Sequence, residues 1–150
     1  MNKIAVFGIF IIACVGIGAL SGTSNLPGEW YQSLNKPFFN PPSWIFAPVW
    51  TALYIMIGAA LASTWYDPDN GRRLLVFALQ GFLNIAWSPA FFGMHNPELG
   101  LAIIIPMLVF ILLFIAMSWR PNRFAALLFV PYALWVGFAT ILNAAIVILN

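Results

Sequence analysis

Residues 29–54 read EWYQSLNKPFFNPPSWIFAPVWTALY, from Glu29 to Tyr54, between two long apolar runs. The stretch holds Trp30, Trp44 and Trp50, and four prolines at positions 37, 41, 42 and 48. Each proline removes a backbone donor and fixes φ, so most of the stretch cannot be regular helix. It is too aromatic for a solvated linker. It reads as a folded cap at a membrane surface, leading into a helix that carries Trp50 and Tyr54. Such a cap predicts a lid over an intramembrane pocket.

The rest of the chain supports a membrane setting. Of 150 residues, 63% are hydrophobic and only 7% charged, with a mean hydropathy of +0.94. Soluble domains carry roughly 25% charged residues. Five apolar segments are long enough to cross the bilayer, which takes roughly 17–25 residues each. They are placed at 4–24, 45–66, 73–93, 98–119 and 123–148. The fold class is therefore an all-α integral membrane protein. It is expected to be one domain over residues 1–150, a five-transmembrane-helix bundle with a long capping loop between its first two helices. The first segment follows Lys3 and ends in small residues, as a signal peptide does. Its apolar run from Ile4 to Leu20 exceeds the usual length of such a peptide, so it is read as a retained span.

Local signals mark the helix ends. Asp67-Pro-Asp-Asn-Gly71 is a turn cluster. Asn96-Pro97-Glu98 supplies an N-cap, a first-turn proline and an acid favoured by the helix dipole. Arg120-Pro-Asn122 does similar work before the fifth span. Trp65 and Trp119 fall at span ends, where an interfacial belt places them. With five spans, Lys3, Arg72, Arg73, Arg120 and Arg123 share one side and Lys36 lies on the other. The positive-inside rule then puts the N-terminus in the cytoplasm and the cap on the opposite side. Scattered basic residues form no nucleic-acid stripe. Gly18-x-x-x-Gly22 in the first span reads as a close-packing face, within the protein or between protomers.

Polar groups in hydrocarbon are costly and face the bundle interior. Gln80, Asn84 and Ser88 share one face of the third span at four-residue spacing, with Trp87 beside them. Trp135, Ala139 and Asn143 do the same in the fifth span, and Trp50, Tyr54 and Gly58 in the second. For each residue singly, interhelical hydrogen bonding and core filling is the simpler reading. Taken together, three stripes under an aromatic cap describe a shared pocket, with Gly58 and Ala139 making room. A pocket of flat aromatic walls with a few amides suits a large planar ligand.

Catalytic groups are scarce. No aspartate, glutamate, lysine or arginine lies within a span. His95 is the only histidine and is read as solvated loop. Cys14 is the only cysteine and is read as a small buried hydrophobe. No cluster of ligating residues could hold a metal.

The runs W-Y-x-x-L-x-K-P-x-x-x-P-P at Trp30–Pro42, P-V-W-T-x-L-Y at Pro48–Tyr54 and P-Y-x-x-W-x-x-F-A-T-x-L-N at Pro131–Asn143 are specific. With QGFLNIAWSPAFFG between them, they resemble the TspO family, the tryptophan-rich sensory proteins and the mitochondrial translocator protein, once called the peripheral benzodiazepine receptor. The resemblance implies a five-helix bundle, commonly a homodimer, with no required cofactor. It implies a ligand site for porphyrins such as protoporphyrin IX and haem, and for drug-like hydrophobic ligands. By motif position, the ligand-binding residues are Tyr31, Pro42, Trp50, Tyr54, Asn84, Trp87, Trp135, Ala139 and Asn143. Trp50 and Trp135 are the candidates for any light- and oxygen-dependent porphyrin breakdown. The C-terminal aromatic-then-basic motif attributed to sterol-binding members is absent here. Three functions follow as expectations: a tetrapyrrole receptor or sensor, a photo-oxidative porphyrin-degrading enzyme, or a tetrapyrrole transporter.

Overall fold

A computed structural model describes residues 1–150. Six α-helices, a 3-10 turn and a π-helical turn account for the regular structure. They are α1 (Lys3–Ser24), α2 (Glu29–Ser33), α3 (Phe46–Trp65), α4 (Gly71–Ser88), α5 (Pro97–Ser118) and α6 (Arg123–Leu149). The 3-10 turn, Ser43–Ile45, leads into α3, and the π turn, Pro89–Gly93, ends α4. Five of these stretches are long and apolar enough to cross a membrane, and α2 is the short helix of the cap. The protein is a multi-pass integral membrane protein with its helices running alternately up and down.

The helix ends are set by the residues that satisfy their free backbone groups. The Asn96 side chain accepts from Leu99 N at 2.9 Å, and that of Asn122 from Ala125 N at 3.0 Å. Asn2 caps α1 in the same way, accepting from Ile4 N at 3.0 Å. At the end of α3, Asn70 Nδ2 donates to Thr64 O and Trp65 O at 3.1 and 3.0 Å. The turn there places Asp69 at φ 51, a left-handed conformation that aspartate tolerates better than most residues.

The expectation that no charged side chain lies within a span needs correcting at Arg73. This residue lies in the first turn of α4, only 4% exposed, with Nη1 2.9 Å from Asp67 Oδ2. Asn122 Nδ2 donates to the same carboxylate oxygen at 2.7 Å and to Ser63 Oγ at 2.8 Å. The pair ties α3, α4 and the start of α6 together, since a buried charge must be compensated. Arg72 likewise falls in the first turn of α4, and Glu98 lies in the first turn of α5, where it was expected.

α1 packs along α3; α3 also packs on α6, α6 on α5, and α5 on α4. The main core is built from Leu53, Ile57, Ile111, Phe114, Phe129, Val136 and their neighbours. Phe114 and Phe129 are wholly buried, with ring centroids 4.2 Å apart. α4 touches α1 and α3 only sparsely, which leaves room between them.

The odd number of spans carries a direct expectation. A reporter fused after Asn150 and one fused before Met1 should read out on opposite sides of the membrane, and matching activity at both would exclude this arrangement.

Candidate functional site

The cap is tied down by aromatic contacts. Tyr31 on α2 is 6% exposed and packs edge-on against Phe91 and Phe92, with centroids 6.3 and 5.4 Å away. Trp30 meets Phe91 edge-on at 5.8 Å and stacks on His95 at 4.6 Å. His95 is thus exposed, as expected, but it also holds the cap against the end of α4. Phe39 reaches Phe138 on α6 at 6.2 Å. Burial pushes the Tyr31 hydroxyl above its ordinary pKa of 10.0, partly offset by its hydrogen bond to Asn40. The hydroxyl therefore stays protonated at neutral pH and keeps donating to Asn40 Oδ1 at 3.3 Å.

A hydrogen-bonded latch closes the far end of the cap. Asn35 N donates to Asn150 Oδ1 at 3.0 Å, and Asn150 Nδ2 returns a bond to Asn35 O at 2.9 Å. Asn150 Nδ2 also satisfies Ile146 O at 2.8 Å, one of the free carbonyls at the end of α6. Asn150→Ala should release the cap. An exposed neutral hydrogen bond contributes about 0.5–1.5 kcal/mol net, so amide exchange over 34–42 should accelerate severalfold with little change in melting temperature. Unchanged exchange would remove the latch from the account.

Beneath the cap lies a cavity of about 600 Å³ lined by all five spanning segments. That volume falls within the range of small-molecule sites. Eight of the nine residues expected at a ligand site line it: Tyr31, Trp50, Tyr54, Asn84, Trp87, Trp135, Ala139 and Asn143. Pro42 does not. It is exposed and caps the 3-10 turn that feeds α3, while its neighbour Ser43 reaches the cavity.

The walls are aromatic. Trp50 stacks on Tyr54 at 5.5 Å, and Trp87 on Phe91 at 5.0 Å. Trp135 meets Phe46 edge-on at 5.9 Å. The π turn contributes to this arrangement. Met94 N bonds Pro89 O at 2.8 Å across five residues, and the widened turn carries Phe91 and Phe92. The third span, expected over 73–93, runs Gly71–Gly93, with α4 ending at Ser88 and the π turn completing it. Pro89 cannot donate to the helical ladder, so the regular pattern fails there.

The amides divide between two jobs. Asn143 is spent on helix pairing: it accepts from Trp87 Nε1 at 3.1 Å and donates to Pro97 O at 2.8 Å. Gln80 lies on the predicted stripe but behind the cavity, 1% exposed, where it accepts from Tyr132 Oη at 2.7 Å. Asn84, like Asn143, lines the cavity while hydrogen-bonded, here to Tyr54 and Tyr132. Two buried groups are left without a partner: Trp135 Nε1 and, at the far end of α5, Ser118 Oγ.

Gly58 is a second correction. It does not make room for a ligand. A Cβ there would lie 2.6 Å from Ile11 Cα, so the glycine is where α1 and α3 cross closely. Gly18, in contrast, faces the Tyr54 ring and lines the cavity, as does Gly22. Sequence reasoning missed Phe46, Phe91 and Tyr132. Tyr132, Val136, Ala139 and Asn143 fall at 0, 4, 7 and 11, so helical spacing did mark Tyr132.

A helical bundle crossing the membrane five times, with an aromatic cavity closed by a loop, defines a class of membrane proteins. The model of the TspO/MBR family matches residues 10–149. The chain is 41% identical to tryptophan-rich protein TspO of Chlorobaculum tepidum, over 100% of this chain and 99% of that protein. It is 37% identical to the tryptophan-rich sensory protein of Cereibacter sphaeroides, covering 97% and 92%. It is also 37% identical to the translocator protein of Ovis aries, covering 84% and 79%. The chain belongs to the TspO/MBR family.

Proposed function

We propose that the protein is a membrane receptor or sensor that binds porphyrins and similar planar hydrophobic molecules in the cavity beneath its cap. The observation that carries this reading is the cavity itself. It is aromatic-walled and reached by every spanning segment. Stacking on Trp50, Trp87 and Trp135 would supply much of the affinity. No cofactor is needed for this role.

Degradation of the bound porphyrin is the second reading, favoured by Trp50 and Trp135 both lining the cavity. Dioxygen would be the oxidant, and indoles can relay electrons from the excited macrocycle to it without an acid or base. Absorbance of the purified protein with protoporphyrin IX, dark and illuminated, separates the two. A stable Soret band means binding, and its loss with a new product band means turnover.

A tryptophan pair tests the location. Trp135→Ala should weaken protoporphyrin IX binding roughly tenfold, because stacking on an aromatic contributes on the order of 1–3 kcal/mol. Trp119→Ala should not. Trp119 is exposed at the end of α5, with the Arg123 guanidinium 5.1 Å from its ring. Equal affinities would remove Trp135 from the site. The orientation that fits the positive-inside rule places the N-terminus in the cytoplasm and the cap outside it. A homodimer is the assembly proposed from the family resemblance.

A further inference from the structure

Four side chains form one continuous hydrogen-bonded chain from the cavity wall into the bundle. Tyr54 Oη donates to Asn84 Oδ1 at 2.7 Å, Asn84 Nδ2 donates to Tyr132 Oη at 2.6 Å, and Tyr132 Oη donates to Gln80 Oε1 at 2.7 Å. Tyr54 and Asn84 line the cavity. Tyr132 and Gln80 are 0% and 1% exposed and stand behind it. Every bond points the same way, so the hydroxyl proton of Tyr54 is spent inward and its lone pairs remain for the cavity.

The parts of this chain are reversible. An amide presents oxygen and nitrogen at nearly equivalent positions, and a hydroxyl both donates and accepts. Half-turns of the two amides reverse all three bonds while leaving every heavy-atom position almost unchanged. Gln80 then donates to Tyr132, Tyr132 to Asn84, and Asn84 to Tyr54. Tyr54 is left with an O–H free to donate into the cavity. The three bonds survive in both directions, so what decides between them is the group each end meets.

We infer that Gln80 and Tyr132 are specificity-determining positioning residues: they set whether Tyr54 offers the cavity an acceptor or a donor. The inference rests on the cavity being the ligand site. A ligand presenting N–H at Tyr54 keeps the chain as it stands. A ligand presenting a carbonyl or carboxylate oxygen reverses it. With the cavity free of a polar partner, the inward direction is favoured, because reversal would orphan the Tyr54 proton. The pocket thereby accommodates either hydrogen-bonding character at one spot without repacking its walls.

Gln80→Met separates this from mere core support. Methionine nearly preserves length and volume but offers Tyr132 no strong acceptor. The Tyr132 proton must then turn to Asn84, which locks the chain in the reversed direction. The first readout needs no ligand. In isotope-edited infrared spectra, the tyrosine ring C–O stretch lies high when the hydroxyl only donates, because the bond gains phenolate-like double-bond character, and falls when the oxygen accepts. The Tyr54 band, assigned by subtraction of Tyr54→Phe, should lie high in the unliganded protein and fall in Gln80→Met. Tyr132→Phe breaks the chain in the middle, so adding Gln80→Met to it should move the band no further. A Tyr54 band indifferent to Gln80→Met overturns the inference.

The second readout uses three tricyclic probes of one outline: fluorenone carries C=O, carbazole carries N–H at the same edge, and fluorene carries neither. The wild-type protein should prefer both polar probes over fluorene by roughly two- to tenfold, the worth of one net hydrogen bond. Gln80→Met should keep the fluorenone preference and lose the carbazole preference. Loss or survival of both together counts against the switch. Should none of the three bind, the ligand-site reading fails, while the infrared shift still decides the chain.

Discussion

Ala139→Phe should abolish protoporphyrin IX binding while the protein melts near its normal temperature. Ala139 lies on α6 one turn from Trp135 and one turn from Asn143, and all three line the cavity. A phenyl ring at this position projects into space that a planar ligand needs. The new side chain is apolar, so it adds no unsatisfied group. A loss of affinity of roughly a hundredfold or more is expected, about 2.8 kcal/mol at about 1.4 kcal/mol per decade. The competing account is that Ala139 is small because α6 packs closely there, since it also borders the main core cluster. Overpacking would then cost about 1–3 kcal/mol of stability, and melting temperature and binding would fall together. Measuring both on one preparation decides the matter. Retained binding with lowered melting would make Ala139 a packing residue.

The expected outcome depends on the cavity being preformed, and the reasons lie in how the cap is held. Its contacts are aromatic edges against Phe91, Phe92 and Phe138, together with the Asn35–Asn150 latch. The cap prolines limit the conformations it can adopt when released. A cap held by several weak, separable contacts can open without unfolding the bundle below it. On the proposed function, such a cap would admit a large ligand and then exclude water. It also separates the two kinds of mutant: those in the cap should change exchange and ligand kinetics, and those in the wall should change affinity.

The spans and their ends could be read from the chain because their causes are local. Hydropathy over about twenty residues sets a span, and Asn96 and Asn122 mark their own caps. The stripes were legible for the same reason, since helical spacing fixes which residues share a face. What spacing does not fix is how far from a neighbouring helix that face sits. Gly58 and Tyr54 share a stripe, yet one meets the α1 backbone and the other the cavity. Gln80 and Asn84 share another, yet only Asn84 reaches the cavity. The π turn was hidden because Pro89 is compatible with either a kink or a stop. The burial of Arg73 was hidden because its partner, Asp67, lies on the preceding turn, and only the fold brings them to 2.9 Å.

Gly58→Leu should destabilise the protein and weaken ligand binding together, the opposite pattern to Ala139→Phe. A Cβ at Gly58 would stand 2.6 Å from Ile11 Cα, 2.8 Å from Phe10 O and 2.9 Å from Ile11 N. These are backbone atoms of α1 and cannot swing aside, so α1 itself must withdraw. In lipid no hydrophobic driving force holds the two helices together, and their association depends on such close packing. α1 buries only Val6 and Gly18, and its main neighbour is α3. Even Gly58→Ala should cost about 1–3 kcal/mol, as overpacking does, and the larger Gly58→Leu should cost more. Because Gly18, Ser21 and Gly22 on α1 line the cavity, a displaced α1 opens that wall and affinity falls with stability. Gly8→Ala and Gly16→Ala are the controls, since a Cβ at either meets nothing within 4 Å. They should leave melting unchanged or raise it, alanine being favoured over glycine in a helix by about 0.5–1 kcal/mol. A Gly58→Leu protein that melts and binds normally would show that α1 and α3 do not cross at this point.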